Sequence, residues 1–479
     1  MRRNKISKYL ALALIVLFTA TACNDWLDVQ PRTEEDAERL YKTVDGFKEA
    51  LAGTYTLMCQ PKLYGKEMTF GTVGLLGQEW SAEELKNSQN PRYLITNYKY
   101  DEVSVKPYID SLWTGLYNAI ANANELIRFT DKKKDVVGNL YEVIKGEAVA
   151  IRAYLHFDIF RLYSDHGKMD SEEKTLPYIS LPNPVITELV TNQQFIDYVL
   201  EDIEEALTLL QKDPIYTGVG ADDPYFANRN FHLNYYAVQG LKARVLQYAG
   251  KKDEARKAAE IVIAAQNQKG LFPWVTENAA NAGPDVRDRT YSTEQLFALN
   301  TIKLVDNIKG MFTDALGGTL YTSRLNTSEL FPEGDVRSLN FESISGQNNV
   351  FSKFWQRTPV LSVNPLRNRM PMIRISEMYY IAADYYASAD PAEALKLLNT
   401  LVGPRSIKGE WVLPETDQEK FVRNILLQEY QREFMGEGQL FFFHKMLGTA
   451  RIATAATKYK LPLPDGETKY RPGINTDGE

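Results

Sequence analysis

Cysteine and histidine are scarce in this chain: 479 residues carry only Cys23 and Cys59, with four histidines. Two thiols allow at most one bridge, so a disulfide framework of the kind that staples small secreted domains is excluded. His156, His166, His232 and His444 show no HExxH or other zinc spacing, and no cysteine pair offers a metal site. The nucleophile elbow Gly-x-Ser-x-Gly is missing as well. Long apolar runs are rare, since the stretch from Tyr9 to Phe18 covers only half of the roughly 20 residues a spanning helix needs. The formal charge is -7, and without Lys/Arg blocks or a glycine-rich phosphate loop the sequence gives no support to nucleic-acid binding. "GVGADD" (218–223) lacks the preceding strand and the ligand ladder of a phosphate or calcium site. Paired carboxylates are unavoidable among 62 acidic residues and identify no glycosidase by themselves.

What is present is aromatic and apolar. Six Trp, 28 Tyr and 21 Phe within 44% hydrophobic residues make a folded chain with a large core. The opening "MRRNKISKYLALALIVLFTATAC" places Arg2, Arg3, Lys5 and Lys8 before the apolar run and small residues before Cys23, the pattern of an export signal over residues 1–22. Its removal takes four cations and leaves a formal charge of -11. A Cys23 to Cys59 bridge is the alternative reading. The favoured one follows from Ala20-Thr21-Ala22, which resembles the lipobox of bacterial lipoproteins with Ala20 where Leu is usual. By that resemblance Cys23 becomes the lipidated first residue, and more than one acyl chain anchors stably where one is marginal. Residues 23–31 then form a tether whose eight residues after the cysteine span about 26 to 29 Å when extended.

"NYYAVQGLKARVLQYAGKKDEARKAAEIVIAAQ" (234–266) reads as a helical hairpin turning at Gly250-Lys251-Lys252, and "RISEMYYIAADYYASADPAEALKLLNTLV" (374–402) repeats it. Ala243 and Ala255 return as Ala382 and Ala394, which is tetratricopeptide-like, since small residues let paired helices approach. Further helices are predicted over 45–58, 107–130, 139–163, 192–211 and 417–447. The helical units are separated by irregular segments at 60–105, 212–231 and 267–371, and loops of that length usually carry function.

Five stretches resemble one family. "CNDWLDVQP" is similar to the mature N-terminus of SusD/RagB outer-membrane nutrient-binding lipoproteins. "GEAVAIRAYLHFDIFRLYSD" (146–165) resembles the family's Gly-Glu-Ala helix through Gly146, Glu147, Ala148, Arg152, Ala153, Phe157, Arg161 and Tyr163. Arg374, Glu377, Ala383 and Asp384 match its Arg-x-x-Glu helix. Glu429, Glu433, Glu437 and Gly438 match its C-terminal signature, with Leu440 and Phe443 where Arg and Asp are frequent, and "KYKLPLPDGE" (458–467) resembles its closing proline segment. The resemblance implies a mainly α fold, in which about four tetratricopeptide-like helix pairs carry long irregular ligand-presenting insertions as a single unit over 32–479. It implies a lipid-anchored protein exposed on the outer membrane, with a SusC-like TonB-dependent barrel as partner. No cofactor beyond the acyl groups and no catalytic residue is expected. The signature charges read as architectural, because charges seldom survive burial unpaired.

The function expected is capture of an oligosaccharide for delivery to the barrel. Uptake of a peptide or glycopeptide is the alternative, and a glycan-processing enzyme a weaker one. A sugar site needs flat rings for C–H faces and polar neighbours for hydroxyls. Trp80 and Trp274 are the first candidates, followed by Tyr291, Tyr321 and Trp355, with Gln78, Glu79, Asn278 and Arg324 as polar neighbours. For each Trp the competing reading is that it packs an insertion onto the scaffold.

Overall fold

In the computed structural model the Gly-Glu-Ala stretch lies at the centre of the protein, where every residue from Gly146 to Tyr163 is buried. The structure describes residues 32–80, 89–182, 186–220, 223–312, 327–344, 347–356, 366–409, 411–449 and 458–470. The signal, Cys23, the tether, Tyr321 and Arg324 lie outside the described residues. Helices α1 (Arg32–Leu40) and α2 (Val44–Met58) lead to α3 (Lys106–Lys132), α4 (Tyr141–Tyr163) and α5 (Asn192–Leu209). Next come α6 (Tyr235–Tyr248), α7 (Lys252–Lys269), α8 (Leu304–Phe312), α9 (Ile375–Ala389), α10 (Pro391–Arg405), α11 (Glu419–Phe434) and α12 (Leu440–Leu447).

Packing pairs α2 with α3, α4 with α5, α6 with α7 and α9 with α10, and it joins α3 to α4, α7 to α9 and α9 to α11. The mainly α, helix-pair architecture expected from sequence is present. Local chemistry sets the pair boundaries. Asn234 caps α6 by accepting from Tyr236 and Ala237 N–H, both at 3.0 Å. Gly250 (φ 78°) turns the chain into α7, and Gly270 (φ 68°) ends it in a left-handed cap. Asp390 caps α10, with Pro391 in the first turn. Ala243, Ala255, Ala382 and Ala394 are fully buried where the pairs close. Gly146 allows a comparable approach, because a Cβ there would lie 2.8 Å from Leu210 Cγ.

The single helix expected over 417–447 is two. Gly436 and Gly438 adopt φ of 79° and 73° between α11 and α12, and a Cβ on Gly438 would come within 2.2 Å of the Met68 carbonyl oxygen. The periodicity hides this break because apolar residues continue on both sides.

The central insertion is closed at its base. Strand β3 (Gln295–Asn300) pairs antiparallel with β6 (Arg369–Arg374), Gln295 opposite Arg374 and Asn300 opposite Arg369. Between them lie α8 and the hairpin of β4 (Phe341–Ile344) and β5 (Gln347–Phe351). A separate pair, β1 (Lys174–Pro177) and β2 (Leu189–Thr191), precedes α5. Every residue of β6 is buried, and β6 runs directly into α9, so the insertion and the helical scaffold share one continuous core.

Candidate ligand site

Four of the predicted aromatics lie among the described residues, and two of them require correction. Trp80 is 0% exposed, its ring 4.8 Å from Phe312 and 4.7 Å from Phe351. It joins the early loop to α8 and β5 and presents no face to solvent. Its indole N–H has no hydrogen-bond partner among the described residues. Tyr291 is buried in a left-handed conformation (φ 52°) beneath Arg405, which stands 4.0 Å from the ring centroid. Gln78 and Glu79 are buried with Trp80, and Glu79 accepts from Gly436 N–H at 2.6 Å. Trp274 is half-buried against Tyr379, 5.2 Å between rings, with Asn278 exposed nearby in sequence. Trp355 is half-buried, with Lys309 of α8 4.8 Å from its centroid.

The charges of the family signatures are interior and paired. Glu433 meets Arg374, Arg405 (2.6 Å) and Arg337 (3.0 Å). Arg337 also binds Asp335 (2.7 Å) and Glu429 (3.0 Å), while Arg405 reaches Glu294 (2.5 Å). Glu437 binds Arg374 (2.9 Å) and Lys353 (2.6 Å), and Arg432 pairs with Glu429 (2.5 Å). Five cations thus face five carboxylates, and the cluster is neutral as a whole. Burial alone would raise the Glu433 carboxyl, but Arg405 and Arg374 outweigh it and hold the group well below the usual range. Since Glu294, Asp335, Arg337 and Lys353 belong to the insertion and the others to α9–α11 or their flanks, the cluster fastens one to the other.

A second group surrounds Glu147, which accepts from Arg229 (2.6 Å) and Tyr55 (2.8 Å) and pairs with His232 (2.8 Å). His156 is a core residue. Its Nε2 accepts from Ile179 N–H at 3.0 Å, Nδ1 lies 3.0 Å from the Arg152 carbonyl, and the ring stacks 3.9 Å from Tyr178. Burial pulls it down to about 3, so it stays neutral. Among the described residues Cys59 has no disulfide partner, and burial pushes its thiol up to about 11. Among the described residues no group of three or more His, Cys, Asp or Glu could hold a metal ion.

Polar groups converge instead in a cleft of about 350 Å³ between the early loop and α8. One wall is Lys66, Asn90 and Arg92, the other Asp306, Asn307 and Met311, with Tyr108 of α3 between them. Asn90 caps the short helix Pro91–Thr96 by accepting from Arg92 N–H at 2.9 Å. Arg92 makes two 2.7 Å hydrogen bonds to Glu67 and lies 4.7 Å from the Tyr108 ring centroid. Burial would raise Glu67, yet Arg92, Lys66 and Thr72 together bring it down to about 2. Asn307 donates to the Gly65 carbonyl at 3.0 Å and ties the two walls together, while Asp306 is exposed. Fixed amide, carboxylate and cationic groups beside an aromatic ring suit a ligand rich in hydroxyls. None of the described aromatic candidates from the sequence lines this cleft. No motif marks Asp306, Asn307, Asn90 or Tyr108, because they meet only when α8 docks on the early loop.

The fold is thus a helix-pair scaffold carrying a long insertion, with a polar cleft where that insertion meets an early loop. Residues 25–218 match the family described as "SusD-like: starch-binding associating with outer membrane". Two SusD-like proteins of Formosa agariphila are related. One is 27% identical over 54% of this chain and 46% of its own length, so the matched region spans about half of that relative. The other is 26% identical over 88% of this chain and 86% of its own length. A solved SusD superfamily protein from Bacteroides thetaiotaomicron superposes with a TM-score of 0.69 at 20% identity, covering 90% of this chain and 98% of that one. Over residues 25–218 the chain is therefore similar to the SusD-like family, and its fold is that of the solved structure.

Proposed function

We propose that the protein captures an oligosaccharide at the cell surface in the cleft between the early loop and α8, and delivers it to a SusC-like TonB-dependent outer-membrane barrel. The observation that carries the reading is the convergence of Asn90, Asp306 and Asn307 beside Tyr108, on elements braced by Glu67–Arg92 and by Asn307 to Gly65. Trp355, an aromatic candidate from sequence, is tied to α8 through Lys309, 4.8 Å from its ring centroid. The family's description as starch-binding supports a glycan as ligand. Binding proceeds without turnover, and the acyl groups on Cys23 hold the protein to the outer membrane. The chain enters the described fold at α1, where Glu34 and Glu38 pair with Arg128 (3.1 Å) and Lys133 (2.6 Å) of the α3 end, a firm attachment for such a tether.

Titration of a panel of neutral oligosaccharides into the wild-type protein and into Asp306→Ala and Asn307→Ala tests the site. Loss of roughly tenfold or more in affinity in each variant is expected, as one or two hydrogen bonds to a bound hydroxyl are removed. Unchanged affinity in both, or binding only of peptides, rejects the assignment. Product analysis after long incubation must return the ligand intact.

A further inference from the structure

A second concavity, of about 550 Å³, shares no lining residue with the cleft. Its most exposed ring is Tyr216, on the single helical turn Pro214–Thr217. That turn is firmly built: Asp213 accepts from Ile215 N–H at 3.1 Å, Pro214 fills the first position, and Gly218 (φ 72°) ends it. Asp213 is in turn gripped by Arg229 at 2.5 Å, which continues to Glu147 at 2.6 Å. The ring therefore stands on a buried, fully paired ionic support and also leans on Tyr235, 4.1 Å away. Phe226, Ile215 and Leu271 complete an apolar wall.

Lys269, in the last turn of α7, stands at the rim with Nζ 5.1 Å from the Tyr216 ring centroid. It donates to the Tyr216 carbonyl at 3.2 Å and to Tyr236 Oη at 2.9 Å. An ammonium has three donors, so one remains. Among the described residues its partners are these two oxygens and no carboxylate, although the chain as a whole is acidic. A fixed cation that keeps a spare N–H beside an exposed ring selects a ligand with an apolar face and a carboxylate on one unit.

We infer that this groove binds a hexuronate unit of an acidic oligosaccharide, with the sugar's C–H face on Tyr216 and Phe226 and its carboxylate on Lys269. A sugar fits better than a peptide, because the walls are helical turns and a helix end, and no strand lies among the lining residues to pair with an extended backbone. This site is independent of the cleft and operates whether or not the cleft takes a glycan.

The test titrates full-length protein in detergent with tetragalacturonate, with its methyl ester, and with a tetrapeptide bearing a free carboxylate. The acid should bind roughly tenfold or more tighter than the ester, the size of effect expected from one charge-assisted hydrogen bond. Lys269→Gln, which retains N–H donors for the two tyrosine oxygens, should abolish the preference, and Lys269→Arg should restore it. Tyr216→Ala should weaken acid and ester alike, whereas Asn307→Ala in the cleft should leave the preference intact. Equal affinity for acid and ester, undiminished preference in Lys269→Gln, tighter binding of the peptide, or no binding of tetragalacturonate at all would each overturn the inference. A preference lost in Asn307→Ala but kept in Lys269→Gln would move acid recognition to the cleft.

Discussion

At the scale of single residues, burial separates side chains free to meet a ligand from those that hold the fold together. Trp80 fills the space between Gly74, Phe312 and Phe351, and a Cβ on Gly74 would lie 2.6 Å from its indole nitrogen. Trp80→Ala should therefore cost about 3–5 kcal/mol of stability through the cavity it leaves, measured as a lowered urea midpoint. Trp80→Phe should cost far less, because the unpartnered N–H gives nothing up. Titration follows the same logic at Glu147 and Glu67. Burial opposes their ionisation, but Arg229 and His232 in one case and Arg92 in the other win, and both fall from 4.5 to about 2. With the folded-state value below the unfolded one, their contribution is fully present above pH 4.5 and is lost as the pH falls through 2. Each group contributes on the order of 3 kcal/mol. Glu147→Gln should flatten the acid limb of the stability–pH profile between pH 4.5 and 2, and an unchanged limb would contradict the pairing.

Among the elements, the helix pairs were legible because their code is local: asparagine and aspartate caps, glycine stops, and alanines spaced for close approach at 243, 255, 382 and 394. The break between α11 and α12 was not, since its cause is a contact with Met68, more than 360 positions away in sequence. Gly438→Ala should accordingly destabilise by more than about 1 kcal/mol. The new methyl meets both an unfavourable φ and the Met68 carbonyl, whereas Ala at Gly403, with nothing within 4 Å, should be tolerated. Comparison of the two melting temperatures checks this. The cleft proposed as the ligand site was not marked in the sequence, for the same reason. Its two walls lie in segments that read only as irregular, and Asp306 and Asn307 meet the early loop through the Asn307 bond to Gly65. The prominent tryptophan of the early loop was needed for packing.

For the whole molecule, the question is how an insertion of about a hundred residues stays rigid on a helical scaffold. The β3–β6 ladder closes its base, and the ionic cluster around Glu433 locks its interior to α9, α10 and α11. Replacing such a cluster entirely by apolar groups could be neutral, but removing one member leaves its partners charged and buried, at a cost of about 3–5 kcal/mol. Glu433 is the member whose loss strands most, since Arg374, Arg405 and Arg337 all converge on it and each is at most 1% exposed. Glu433→Gln should therefore loosen the insertion before the scaffold. Amide exchange should rise first in β3 and across 335–353, while α4, whose buried charges pair with Asp202, Arg229 and His232 instead, keeps its protection. The glycan affinity proposed for the cleft should fall in parallel, because α8 lies within the loosened segment. Uniform loss of protection across α4 and the insertion together would mean that the cluster stabilises the fold as one unit and has no separate part in holding the insertion.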